Sequence, residues 1–97
     1  MRPIGFGPEA RVEFLESVRY YEEQQTGLGQ RFLDSVTDAL QRIQSHPESY
    51  RKVEAGCRQC RIPRFPYGLI YRVGKERIEV IAVMHLHWEP GYWQQRS

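Results

Sequence analysis

At 97 residues the sequence is long enough for one domain, residues 1–97, with its own core, and too short for two. Its longest aliphatic run, residues 80–84, is far below the roughly 20 residues of a membrane span, and no stretch resembles a signal peptide, so we expect a soluble cytoplasmic protein. The net charge of +2 excludes a strongly basic nucleic-acid binder, and two cysteines do not make a disulfide framework.

The small net charge conceals an asymmetry between the two halves of the chain. Residues 1–50 hold 5 Lys and Arg against 8 Asp and Glu, a net charge of −3, whereas residues 51–97 hold 9 against 4, a net charge of +5. Basic side chains commonly protect sheet edges from aggregation. They also attract polyanions or acidic partners, and the sequence leaves both interpretations open.

Two amphipathic helices are predicted after a short first strand at residues 2–6. The first helix, at 9–25, has Pro8 in its first turn, and Gly27 is its expected C′ residue. The second helix, at 29–45, ends before Pro47. The short connection makes the helices an antiparallel hairpin that packs on a sheet. The expected core positions are Ala10, Phe14, Leu15, Val18, Tyr21, Phe32, Leu33, Val36, Ala39, Leu40 and Ile43.

Three antiparallel strands are predicted in the second half, at 58–62, 69–73 and 78–84, after a loop at 47–56. Residues 74–77 suit a hairpin turn. The fold class is therefore α+β, with an N-terminal strand and a helical hairpin on an antiparallel sheet. Strict alternation along the last strand places Ile78, Val80, Ala82 and Met84 on one face and Ile81 and Val83 on the other. The apolar face away from the helices needs cover, either from a partner or from Trp88, Tyr92 and Trp93 in the tail.

The polar residues of the second half suggest two kinds of site. Cys57, Cys60, His85 and His87 are a possible zinc set, but cysteines three apart on a strand point to opposite faces, and we expect neither a metal nor another cofactor. A redox pair is disfavoured because the two cysteines do not open a helix. A ribonuclease-like site remains possible, since histidine and arginine can supply base, acid and cation. Its candidates are Arg58, Arg61, Arg64, Arg72, His85, His87 and Tyr92.

An ordered set of short motifs resembles the ParE branch of the RelE/ParE toxin superfamily, often described as plasmid stabilisation proteins. The motifs are FGPEA at 6–10, YYEE at 20–23, GLGQRF at 27–32, HP at 46–47, RFPY at 64–67, IYR at 70–72, VIAVMH at 80–85 and PGYW at 90–93. The resemblance implies the same order of strand, helical hairpin and sheet. It also implies the toxin of a type II toxin–antitoxin module, bound and neutralised by an antitoxin.

Three functions follow from the resemblance. ParE-like members are associated with inhibition of DNA gyrase without chemistry of their own, RelE-like members cleave mRNA on the ribosome, and an inactive homologue would only bind its antitoxin. The sequence lacks a lysine-rich segment before the sheet and carries His87-Trp88 where many cleaving relatives have a basic residue. We therefore expect the gyrase-directed toxin.

The same hypotheses name the candidate site residues. Target contacts are expected at Arg58, Arg61, Arg64, Arg72, Trp88, Tyr92, Trp93 and Arg96, since aromatic residues beside arginines dominate interfaces. Antitoxin contacts are expected at Phe65, Tyr67, Ile81 and Val83. If the protein is instead an endoribonuclease, the catalytic candidates are Arg61, Arg72, His85 and Tyr92.

Overall fold

A computed structural model describes residues 1–88 and 91–96 and has the expected α+β architecture. The sheet order is β1-β5-β4-β3-β2, and the helical hairpin covers one face of the sheet. The sheet is mixed rather than antiparallel throughout, because β1 runs parallel to β5. The elements are β1 Ile4–Phe6, α1 Pro8–Gln24, α2 Leu28–Ser45, β2 Arg51–Lys52, β3 Arg58–Arg61, β4 Tyr67–Val73 and β5 Ile78–His85. The two-residue β2 lies in the segment that was predicted to be a loop.

The connection between the helices is held by Glu22. Its carboxylate accepts hydrogen bonds from the backbone N–H groups of Gly27 and Gly29, each at 3.1 Å, and so satisfies free donors at the start of α2. Gly27 has the left-handed backbone expected of it, with φ of 89°, but it is the N-cap of α2 and not the C′ residue of α1. A β-carbon on Gly29 would lie 2.7 Å from the carbonyl oxygen of Val18, so glycine permits this close helix contact.

The main core lies between the hairpin and the sheet. Phe32, Val36, Ala39 and Ile43 are at most 1% exposed, which confirms the predicted stripe of α2. The prediction for α1 is wrong at Leu15, which is 51% exposed. Leu15 lies about 100° around the helix from its neighbour Phe14, and only the Phe14 side of α1 reaches the core. Neither helix is long and apolar enough to cross a membrane within residues 1–88 and 91–96.

A β-bulge on β5 overturns the predicted alternation of its side chains. Tyr71 pairs with Val80 and the preceding Ile70 pairs with Ala82, so Ile81 is an extra residue with no partner on β4. An extra residue shifts the inside-outside pattern by one position from that point onward. Ile81 and Ala82 therefore lie on the same face of the sheet.

The bulge divides the buried residues of β5 differently from the prediction. Ile78, Val80 and Val83 face the helical hairpin, whereas Ile81, Ala82 and Met84 face the opposite side, which we call the outer face. The predicted placement of Ala82 and Met84 with Val80, and of Val83 with Ile81, is wrong. A strict two-residue period cannot reveal an inserted residue, because both faces of this strand are apolar.

The outer face has its own small core, and the tail helps to form it. Trp93 is 2% exposed and packs in a cluster with Cys57, Ile70, Ile81, Ala82 and Met84. Trp88 is 43% exposed and stays outside this cluster. Of the two possible covers weighed from the sequence, the structure therefore shows the tail in place through Trp93.

Candidate functional site

The carboxylate of Glu13 on α1 is the centre of the contacts that hold the tail. It accepts hydrogen bonds from the backbone N–H of Val83 at 3.0 Å, from the hydroxyl of Tyr92 at 2.9 Å and from both terminal nitrogens of Arg96 at 2.9 Å. Arg96 also donates to the carbonyl oxygen of Ile81 at 3.1 Å. We call this set of contacts the Glu13 clasp.

The Glu13 clasp replaces a missing strand at the edge of β5. The neighbouring strand β1 pairs only with Ile78–Val80. Its contact with β5 ends at the hydrogen bond that the Gly7 N–H donates to the Val80 carbonyl, at 2.8 Å. Beyond it, the groups of Ile81 and Val83 would be unpaired polar groups next to a core. Side chains from α1 and the tail satisfy them instead.

The clasp also changes the acidity of its members. Burial and the hydrogen bond to Glu13 raise the pKa of the Tyr92 phenol, and the hydrogen bond to Glu13 raises the pKa of Arg96. Sequence reasoning missed Glu13, which was not among the candidate functional residues. The helical pattern contains no sign that this glutamate turns toward the sheet, since its partners lie 70 to 83 residues later.

A basic groove of about 780 Å³ lies on the outer face of the sheet. Arg51, Lys52, Arg61 and His87 line it beside the apolar side chains of the outer core, with Glu54 as an acidic neighbour. Arg61 is exposed here, as expected for a target contact. The groove thus combines positive charge with apolar and aromatic surface, and we call it the outer groove.

The four candidate arginines do not form one site. Arg61 lies in the outer groove and Arg72 is about 13 Å further along the same face, since Arg61 pairs with Gly68 and Arg72 is four residues beyond it. Arg58 donates to the carbonyl oxygen of Tyr50 at 2.9 Å, which ties it to the fold. Arg64 lies in the loop before β4, beside α2, with a left-handed φ of 70°.

The candidate catalytic set is likewise divided. His85 pairs across the strands with Tyr67 on the hairpin side of the sheet, while Arg61 and Arg72 project from the outer face. The Tyr92 hydroxyl is engaged by Glu13. The structure therefore brings His85 near Trp88, with ring centroids 6.0 Å apart, but does not assemble the two arginines around it.

The candidate antitoxin contacts are mostly buried. Ile81 is 2% exposed under the tail, Val83 is fully buried beneath the hairpin, and Tyr67 is 5% exposed with its hydroxyl accepting a hydrogen bond from Ser17. Phe65 is partly exposed and packs edge-on against Phe32 at 5.0 Å. The four residues lie on two sides of the sheet and do not share a surface.

The two cysteines lie on opposite sides of the sheet. Cys57 belongs to the outer core and Cys60 to the hairpin core, and burial raises the pKa of both thiols. Within residues 1–88 and 91–96, no group of three or more potential ligands is placed to hold a metal ion.

The chain was compared with protein families, with curated proteins and with solved structures. The model of the family described as "ParE toxin of type II toxin-antitoxin system, parDE" matches residues 4–87. A solved structure titled "Chromosomal ParDE TA system from P. aeruginosa" has a chain with the same fold, at a TM-score of 0.78 and 14% sequence identity. The match covers 90% of this chain and 98% of that one. No curated protein gives a significant match.

Proposed function

The chain belongs to the ParE toxin family of type II toxin–antitoxin systems, and on that premise we propose that it inhibits DNA gyrase in the cytoplasm and is neutralised by a cognate antitoxin. The family match over residues 4–87 is the observation that carries this proposal. Its mode of action is binding, without a chemical step of its own. The placement of His85 on the opposite side of the sheet from Arg61 and Arg72, with the Tyr92 hydroxyl held by Glu13, supports a non-catalytic toxin, because acid–base catalysis needs its groups within hydrogen-bond reach of one substrate.

The outer groove is the surface that we propose for the target. It offers exposed Arg61 with Arg51, and exposed Trp88 at its rim, and arginine and tryptophan are residue types that dominate protein interfaces. Lys52 adds to the positive charge of the groove. Trp93 and Arg96, which were also candidates, are tied into the outer core and the Glu13 clasp. We assign them the support of this surface rather than direct contact.

The antitoxin is proposed to contact the opposite side, where Phe65 is accessible. A groove of about 610 Å³ lies between α2 and the loop before β4, with Phe65, Arg31, Asp34 and Asp38 in its lining. It combines an apolar ring with charges of both signs, which suits a segment of mixed composition. Contact with Ile81 would require Trp93 to leave the outer core.

Cleavage of mRNA on the ribosome is the second candidate, and the positive charge of the outer groove favours it. Arg51, Lys52, Arg61 and His87 could bind a phosphate backbone there. In this case His87, which lines the groove, would be nearer to Arg61 than His85, which lies on the other side of the sheet.

One induction experiment distinguishes the two candidates. The protein is expressed alone in bacteria, and the DNA damage response and transcript integrity are followed in the same culture, together with supercoiling by purified gyrase. We expect growth arrest, a damage response, intact mRNA and loss of supercoiling. Cleaved mRNA with normal supercoiling would replace the proposal with the interferase, and normal growth with none of these effects would indicate an inactive homologue.

A further inference from the structure

A second concave surface, which shares Trp88 with the outer groove, lies between α1 and the end of β5. It encloses about 390 Å³, and aromatic rings form most of its wall. Tyr20 and Tyr21 come from α1, while Tyr67, His85 and Trp88 come from the sheet and the turn after it. We call this surface the aromatic groove.

The rings of the aromatic groove form a connected set. The ring of Tyr67 lies 6.1 Å from that of Tyr21 and 6.3 Å from that of Trp88, so it joins the two walls. Tyr20 packs edge-on against Tyr21 at 5.2 Å. Tyr20 and Trp88 nevertheless remain 54% and 43% exposed. Large aromatic side chains at this exposure, facing a cavity, leave ring faces available to a ligand.

The charge in the aromatic groove is negative, in contrast to the basic sheet half. Among the described residues, its lining contains two carboxylates, Glu13 and Glu16, and neither lysine nor arginine. Glu13 is neutralised by Arg96 in the clasp. Glu16 is exposed and forms no salt bridge with any residue in the described part of the chain. One unpaired carboxylate therefore stands beside several aromatic faces.

His85 contributes a ring to the wall of the groove. Its Nδ1 atom accepts a hydrogen bond from the backbone N–H of His87 at 3.1 Å. The ring lies 5.0 Å from the ring of Tyr67 and 6.0 Å from that of Trp88. The wall of the groove is thus aromatic surface, and the faces of its tyrosine and tryptophan rings carry a negative quadrupole.

These features select a cation with a flat, weakly hydrated head group. Aromatic faces attract cations within about 6 Å of the ring centroid, more often guanidinium than ammonium, because the planar guanidinium also stacks on the ring and is more weakly hydrated. A guanidinium also forms two parallel hydrogen bonds with a carboxylate. We propose that the aromatic groove binds an arginine side chain of a partner polypeptide, stacked on Tyr20 and Trp88 and paired with Glu16. This inference does not depend on the identity of the toxin's target.

The proposal is tested by NMR titration of the full chain with N-acetyl-arginine amide, with N-acetyl-citrulline amide as its neutral counterpart of the same shape. We expect saturable shifts of the Trp88 indole N–H with the arginine probe and binding at least about threefold weaker with the citrulline probe, in line with the modest strength of exposed cation–π contacts. Equal binding of both probes, or no shift at Trp88, would overturn the proposal.

Two variants identify the contacts. Glu16→Gln and Tyr20→Ala each replace an exposed residue, so the fold is retained, and both should weaken arginine binding severalfold. The matched controls are Glu76→Gln in the hairpin turn and Val12→Ala on the exposed side of α1, and neither should change the binding of the arginine probe. If Glu16→Gln and Glu76→Gln bind alike, the carboxylate has no part in the groove. Concentration-dependent shifts without any probe would instead assign the groove to a second copy of the chain.

Discussion

The guanidinium of Arg96 donates one hydrogen bond to each carboxylate oxygen of Glu13, both at 2.9 Å, across 83 positions of sequence. Both side chains are largely buried, at 17% and 13% exposed, and the same carboxylate also receives the Val83 backbone N–H. This pair therefore joins α1, the tail and the bulged part of β5 in one contact.

Glu13→Gln should destabilise the protein by about 1–3 kcal/mol, because it leaves the partly buried Arg96 without its counter-charge. Urea denaturation measures the change. The control is Asp38→Asn, which removes the exposed i,i+4 pair with Arg42 and should cost no more than about 0.5 kcal/mol. Similar losses for both variants would mean that the clasp is no stronger than a surface salt bridge.

Alanine substitution of the two tail tryptophans should lower the free energy of unfolding by very different amounts. Trp93→Ala removes a 2% exposed ring from the outer core and should cost about 3–5 kcal/mol, whereas Trp88→Ala should change the free energy of unfolding by less than about 1 kcal/mol. Denaturant unfolding of the two variants tests this. A mild Trp93→Ala would show that the tail does not cover the sheet in solution.

Gly29→Ala should destabilise the helical hairpin by about 1–3 kcal/mol. The new β-carbon would lie 2.7 Å from the carbonyl oxygen of Val18, which is backbone of the facing helix, so the helices must move apart. Gln30→Ala, at the next and exposed position of α2, is the control and should cost no more than about 0.5 kcal/mol, since it removes only an exposed i,i+4 hydrogen bond to Asp34. Thermal unfolding followed by circular dichroism measures the stability of the two variants. Equal stability of both would show that the helix contact tolerates the added methyl group.

Stability should fall as the pH rises from about 10 to about 12. Burial raises the pKa of Tyr71 from 10.0 to about 12, and its hydroxyl donates to the Pro47 carbonyl at 2.6 Å. Above pH 10 the unfolded state loses this proton while the folded state keeps it, so the unfolded state binds fewer protons and the free energy of unfolding decreases. Tyr71→Phe loses the hydrogen bond at every pH but should show a shallower decline, which urea unfolding at pH 8 and pH 11 can measure.

Growth inhibition tests the proposed target surface. Arg61→Glu reverses an exposed charge in the outer groove and should reduce toxicity at least about tenfold without a loss of stability, because interface arginines carry much of the binding energy. Arg19→Glu, on the exposed side of α1, is the charge-matched control. Equal toxicity of the two variants would move the target site away from this groove. Deletion of residues 88–97 is a poorer test, since it also removes Trp93 from the outer core.

The order of elements could be read from the sequence because local patterns determine it. The α2 stripe from Phe32 to Ile43 and the turn at 74–77, closed by the Gly74 N–H bond to the Arg77 carbonyl at 2.9 Å, were both predicted correctly. Periodicity and turn chemistry contain this information within a few residues. The bulge on β5 and the Glu13 clasp join residues that are far apart in sequence, and local patterns do not contain that information.

The positions of the candidate site residues could be predicted less well, for a geometric reason. The inserted residue Ile81 changes which side chains share a face, and a strand that is apolar on both faces does not reveal it. Arg58 and Arg61 look equivalent in sequence, yet Arg58 donates to a backbone carbonyl and Arg61 is exposed in the outer groove. The roles expected for Phe65, Tyr67, Ile81 and Val83 toward an antitoxin stay predictions.

The parallel pairing of β1 with β5 limits how early the sheet can be completed while the chain is being synthesised. Ile4 pairs with Ile78, so the first strand has no partner until the chain has been synthesised as far as β5, whereas the helical hairpin needs only local contacts. During translation the apolar stripe of α2 therefore remains without its sheet cover until the strands that pack against it have been synthesised. The outer core and the Glu13 clasp both contain residues of β5, so neither can form in the nascent chain until β5 emerges.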